Sequence, residues 1–130
     1  MHATAIVCTS ILGVLLFGLG LAVSLTRGRS KMLIGHPDDS TNSLHKLVRA
    51  HANTAEYAPF IALLLLYLGA HNPPAWVEWA MMVTTAARVA IVLGLLISPT
   101  LAQPHPLRFA GALFTYVGGM ALCLALVIVG

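Results

Sequence analysis

Four apolar stretches alternate with short polar ones along the chain: about Thr4 to Leu25, Leu47 to Gly69, Trp76 to Ile97 and Arg108 to Val129. Each is close to the roughly 20 residues that a helix needs to cross a bilayer. Turn chemistry fills the breaks, with "GHPDDSTNS" after the first stretch, "HNPP" after the second and "SPTLAQPHP" after the third. The pattern predicts an all-α integral membrane protein, a bundle of four transmembrane helices that occupies residues 1–130 as a single domain. The connections are short, so consecutive helices run antiparallel.

The second stretch, "LVRAHANTAEYAPFIALLLLYLG", breaks the pattern by carrying polar side chains in its first half. At about 100° per residue, Asn53 lies about 40° from Arg49 and Glu56 about 20° to the other side, so the three share one stripe. His45 falls on the same face, Tyr57 borders it, and His51 points almost opposite. Ionisable groups within a span face the bundle interior and pair with one another. Glu56 and Arg88 each lie nine residues from the same end of the bundle, roughly 13 to 14 Å deep at about 1.5 Å per residue. A Glu56–Arg88 ion pair is the expectation. Pro59 lacks an amide hydrogen, frees the Ala55 carbonyl and bends the helix beside Glu56.

A pair that only locks helices together is one use for such groups. It leaves Arg49, His45 and Arg108 as surplus positive charge around one end. An anionic ligand accounts for the surplus, since arginine forms bidentate contacts with carboxylates while Asn and Glu meet amide and ammonium groups.

Composition sharpens the class. Hydrophobic residues make up 58% of the chain and charged ones 8%, against roughly 25% charged in soluble domains, and the mean hydropathy is +0.89. Arg27, Arg29, Lys31 and Lys46 lie between the first two stretches and Arg108 ends the third connection, while the second connection and both termini have no Lys or Arg. Positive loops stay in the cytoplasm, so both termini are expected on the non-cytoplasmic side, with Trp76 and Trp79 at the outer interface. Met1 to Leu25 has no basic residue ahead of its apolar core, unlike a signal peptide, so a retained span is expected.

The net charge of +3 is spread over loops and spans without a basic, aromatic-interleaved face, which argues against nucleic acid. Cys8 and Cys123 sit in apolar runs as buried free thiols, and the six histidines have no metal-ligand spacing, so no metal is expected. Asp38 and Asp39 suit a turn. Gly111, Thr115 and Gly119 recur every four residues, a spacing that lets another helix approach closely, within the bundle or from another subunit.

The segment "RAHANTAEYAP" resembles the second-helix signature of the MAPEG family, the membrane-associated proteins in eicosanoid and glutathione metabolism, in which Arg-Ala-x-x-Asn-x-x-Glu is followed closely by Pro. The matching positions are Arg49, Ala50, Asn53, Glu56 and Pro59. The likeness extends to the basic first connection, to "ARVA" around Arg88 and to "HPLRFAG" around Arg108. It is strongest to the short bacterial members, which implies a bacterial inner membrane.

The resemblance implies a homotrimer of four-helix subunits that binds glutathione between neighbours at the cytoplasmic side. Arg49, Asn53, Glu56 and Tyr57 would contact the tripeptide. Arg88 would support Glu56 or the ligand, and Arg27 or Arg29 would reach a glutathione carboxylate. Arg108, in a Pro-x-Arg element, would stabilise the thiolate. Family members commonly carry His or Tyr three residues, and in several cases Tyr seven residues, after the third-helix arginine; this chain has Ile91 and Leu95.

The function implied is a glutathione-dependent membrane transferase or peroxidase of detoxification, acting on lipophilic electrophiles or hydroperoxides from the bilayer. Ile91 and Leu95 motivate an alternative, a non-catalytic lipid-binding or scaffold protein on the same fold. A proton-coupled transporter ranks below both, because the charges cluster at one end and form no path across the membrane.

Overall fold

The computed structural model describes residues 1–129 and is built from four helices. α1 spans Ala3–Ser30, α2 Ser43–Ala70, α3 Ala75–Ile97 and α4 Pro106–Val129. α1, α3 and α4 are long and apolar enough to cross a membrane. α2 is as long as α1, at 28 residues, and its polar first half accounts for its lower hydropathy.

Each helix is longer than the apolar run that predicts it, and the residues added to α1 and α2 are mostly polar. α1 continues to Ser30 and so carries Arg27 and Arg29 on helix instead of in a connection. It stops at Lys31, whose left-handed φ of 54° turns the backbone so that the Met32 amide donates to the Arg27 carbonyl at 3.2 Å. α2 starts four residues early because the Asn42 side-chain oxygen accepts the Leu44 amide at 2.8 Å and the His45 amide at 3.4 Å, satisfying donors that a helix start leaves unpaired. α3 ends at Ser98, whose extended backbone suits the residue before Pro99. Pro106 opens α4, where its missing amide hydrogen is no loss.

The helices pack as two intimate pairs, α1 with α2 and α3 with α4. Gly94, Gly111 and Gly118 set the second pair. A Cβ at Gly111 would sit 2.7 Å from the Ile91 amide nitrogen, and one at Gly118 would collide with the Thr84 hydroxyl. Of the small residues singled out by spacing, Gly111 and Thr115 lie buried in this contact. Gly119 does not, since a Cβ there would meet nothing within 4 Å; its neighbour Gly118 makes the close approach.

Two apolar clusters form the core. The larger gathers Leu12, Leu65, Leu68, Met81 and Leu122. The smaller, around Leu19, Ala50, Ile91, Val92 and Leu95, lies toward the end carrying the first and third connections. Between them runs a layer of buried polar residues. Thr54, Thr84 and Thr115 meet their own needs by donating to the carbonyls four residues back. Arg88, in the same layer, requires partners from another helix.

Candidate functional site

Arg88 is 1% exposed. Its Nη2 donates to the Asn53 backbone carbonyl at 2.9 Å and to Asn53 Oδ1 at 2.6 Å, and its guanidinium carbon stands 5.0 Å from the centre of the Tyr57 ring. The expected Glu56–Arg88 ion pair is not formed: the one ion pair among the described residues joins His2 to Glu78 at 3.3 Å. Equal depth is not enough, because direction around the helix decides the partner. Asn53 and Tyr57 turn toward α3, whereas Glu56 is exposed on α2.

The Arg88 contact fixes the Asn53 amide. A guanidinium only donates, so the Asn53 oxygen must face it and the Nδ2 hydrogens are left for the other side. On that other side is an open cleft of ≈ 330 Å³ between α2, α3 and α4, lined among others by Arg49, Asn53, Ile91, Leu95, His105 and Arg108. Three of the residues expected at the site therefore meet in one place. Ile91 and Leu95 make its α3 wall apolar.

Arg108 enters the cleft from the first turn of α4. Its Nη1 donates to the Leu101 carbonyl at 3.3 Å and to the Gln103 carbonyl at 3.1 Å. Gly94 leaves the room it needs, because a Cβ there would lie 2.8 Å from both the amide nitrogen and Cγ of Arg108. A guanidinium held this way is a fixed positive charge in the cleft, in company with Arg49 and Asn53. It favours the ionised form of any acid or thiol placed against it.

His105 belongs to the same cleft, although in the sequence it is one of six scattered histidines and nothing marks it as a site residue. Its Nδ1 accepts the Leu107 amide at 3.3 Å, which in a neutral ring leaves the proton on Nε2 as a donor. The available signal is its place three residues ahead of Arg108.

Glu56 and Tyr57 are not in this cleft. They line a separate groove of ≈ 450 Å³ between α2 and α4, with Phe60, Tyr116, Met120 and Cys123 among its other walls. The Tyr57 and Tyr116 hydroxyls are 3.5 Å apart there. Arg27 and Arg29 are in neither space. α1 packs on α2 and α3 and not on α4, so neither arginine joins the cleft within one chain. Arg27 Nη2 donates to the Gly35 carbonyl at 3.1 Å and holds the first connection, while Arg29 is exposed.

His45 also has a structural role. Its Nδ1 and that of His36 both lie within hydrogen-bond distance of the Pro37 carbonyl, at 3.1 and 2.9 Å, with the two rings 4.0 Å apart. In the same connection the Thr41 hydroxyl and amide both donate to Asp39 and hold its carboxyl below the usual carboxylate range.

Compared with known proteins, residues 5–128 match the sequence profile of the MAPEG family. No curated protein and no solved structure matches the chain.

Proposed function

The chain belongs to the MAPEG family of integral membrane proteins, and from that premise we propose that it is a glutathione-dependent transferase or peroxidase whose thiol is activated in the cleft between α2, α3 and α4. The observation that carries this reading is the convergence of Arg49, Asn53 and Arg108 on one cleft from two helices. Arg49 and the Asn53 amide bind the tripeptide's carboxylate and peptide groups. Arg108 stabilises the thiolate, the nucleophilic form of the sulfur.

The sulfur then forms a bond to an electrophilic carbon of a lipophilic substrate, and the leaving group departs with the electron pair. With a hydroperoxide it attacks the terminal oxygen instead, giving a sulfenic acid and an alcohol, and a second glutathione converts the sulfenic acid to a disulfide and water. The apolar α2–α4 groove, with Glu56 and Tyr57 at its edge, is a place for the lipophilic partner to approach from the bilayer.

The reading includes a homotrimer, in which a neighbouring subunit completes the cleft. The cleft's volume is at the lower end of the roughly 300–1,000 Å³ of small-molecule sites, and α1 of the same chain contributes no residue to its lining. A neighbour's α1 would close it and bring Arg29 to a glutathione carboxylate. Arg27 is less suited, being tied to Gly35. An exposed Glu56 at membrane depth is also costly against lipid and points to cover by another subunit. In this topology both termini lie on the non-cytoplasmic side of a bacterial inner membrane.

The test is thiol-dependent turnover of general electrophiles and of a lipid hydroperoxide by the purified protein. Activity that falls at least about a hundredfold in Arg108→Ala, the scale of losing one electrostatic stabiliser, supports the reading. Absence of turnover with every substrate in the folded wild type overturns it.

A second reading, a non-catalytic lipid-binding or scaffold protein, draws on Ile91 and Leu95, which place apolar surface where the family commonly has His or Tyr. It predicts lipid binding that is unchanged by Arg49→Ala and Arg108→Ala.

A further inference from the structure

The third connection, residues 98–105, is the platform on which Arg108 rests, yet it is an irregular segment with Ala102, Gln103 and Pro104 all exposed. A loop of that kind is ordinarily among the mobile parts of a protein. Its carbonyls aim the Arg108 guanidinium only while its backbone is held. The hold comes from the first connection. The Ser40 and Thr100 hydroxyls are 2.7 Å apart, and the Leu101 amide donates to the Ser40 carbonyl at 3.0 Å. Thr100 Oγ1 also accepts the Ala102 amide at 3.2 Å, so one hydroxyl organises both its own loop and the crossing to the other.

Ser40 is itself on fixed ground. The Asn42 amide donates to the Asp39 carbonyl at 3.1 Å, the Thr41 amide and hydroxyl donate to the Asp39 carboxylate at 2.9 and 2.7 Å, and Asn42 caps α2. Hydrogen bonds therefore run from the start of α2 through Ser40, Thr100 and Leu101 to Arg108 at the start of α4. These are the two helices that carry the charged walls of the cleft.

We propose that the Ser40–Thr100 latch sets the Arg108 guanidinium against the bound thiol, which makes Ser40 and Thr100 positioning residues for thiolate formation. The proposal rests on the cleft being the glutathione site. It predicts an effect on ionisation more than on affinity, because Arg49 and Asn53 are carried by α2 itself and do not depend on the loop.

The test compares wild type, Thr100→Val, Thr100→Ser and Arg108→Ala as full-length protein in detergent. Ultraviolet absorbance of the bound thiolate is followed against pH, glutathione affinity is measured alongside, and Leu101 amide exchange is measured without ligand. Thr100→Val, which keeps the branched shape and removes the hydroxyl, is expected to raise the pH needed for thiolate formation by about one unit, a tenfold loss of thiolate. Measured below the pH of thiolate formation, where the bound thiol keeps its proton, affinity should change less than about threefold, about half a pKa unit's worth of free energy. Thr100→Ser restores the wild-type titration. Leu101 exchange is slow in wild type and at least about tenfold faster in Thr100→Val, as expected when a local opening becomes easier.

A wild-type titration in Thr100→Val, with the thiolate signal absent in Arg108→Ala, overturns the latch and leaves the cleft reading standing. An unprotected Leu101 amide in wild type overturns the latch directly. A protected amide with no thiolate signal in wild type refutes the cleft reading, and the positioning role falls with it.

Discussion

Replacing Arg88 by Met and Asn53 by Leu, singly and together, isolates the contact that orients the cleft's amide. Arg88→Met leaves Asn53 Oδ1 facing an apolar interior without the donor now 2.6 Å away. Asn53→Leu leaves a guanidinium that is 1% exposed with one acceptor fewer, although the backbone carbonyl of position 53 still accepts from it. Each single change strands a partner, and the double change strands none. A hydrogen bond to a charged group is worth about 1.5–3 kcal/mol. The double variant should therefore be less destabilised than the sum of the singles by about 2 kcal/mol, within the range found for contacting pairs. Reversible unfolding in mixed micelles, run as a double-mutant cycle, reads the coupling. A coupling below about 0.5 kcal/mol, the error of additive distant sites, would refute the reasoning. Arg88→Met should also weaken glutathione binding, even though Arg88 does not line the cleft.

Other outcomes follow from single contacts. Gly94→Ala places a Cβ 2.8 Å from backbone and side chain of Arg108 and 3.2 Å from the Leu107 carbonyl carbon. It should cost about 1–3 kcal/mol as overpacking, seen as a lower melting temperature in detergent. Gly119→Ala, with nothing within 4 Å, is the matched control and should not destabilise. Asn42→Ala removes the cap of α2 and should lower stability by about 0.5–2 kcal/mol, read by the same thermal unfolding. Asp39 should titrate below the usual carboxylate range by carbon-detected NMR. The Thr41 contacts stabilise the folded loop when the carboxylate is ionised, so that contribution is present above the ordinary carboxylate pKa and is lost as pH falls through the lowered one. Thr41→Val should return the titration toward normal.

The helices are legible in the sequence because burial in lipid imposes long apolar runs on them. Their ends are not, since the last turns of α1 and the first of α2 are polar and are held by a left-handed Lys31 and an Asn42 cap instead of by hydropathy. The polar stripe of α2 is equally plain, because helical geometry fixes which residues share a face. Where each member of the stripe goes is hidden. Glu56 and Arg88 match in depth, but the rotation of α2 against α3 gives Arg88 to Asn53 and Tyr57 and sends Glu56 to another groove. The latch is invisible for a different reason: Ser40 and Thr100 are sixty residues apart in loops without periodicity. Arg27 and Arg29 read as equivalent basic residues until the fold ties one of them to Gly35.

Calorimetric titration of glutathione into detergent-purified protein tests the role of the cleft most directly, with Arg49→Ala and Asn53→Ala alongside wild type. Binding by wild type that weakens at least about tenfold, or about 1.4 kcal/mol, in both variants is the predicted result. No binding by a folded, oligomeric wild type, or binding that neither substitution changes, would contradict the assignment of the tripeptide to this cleft.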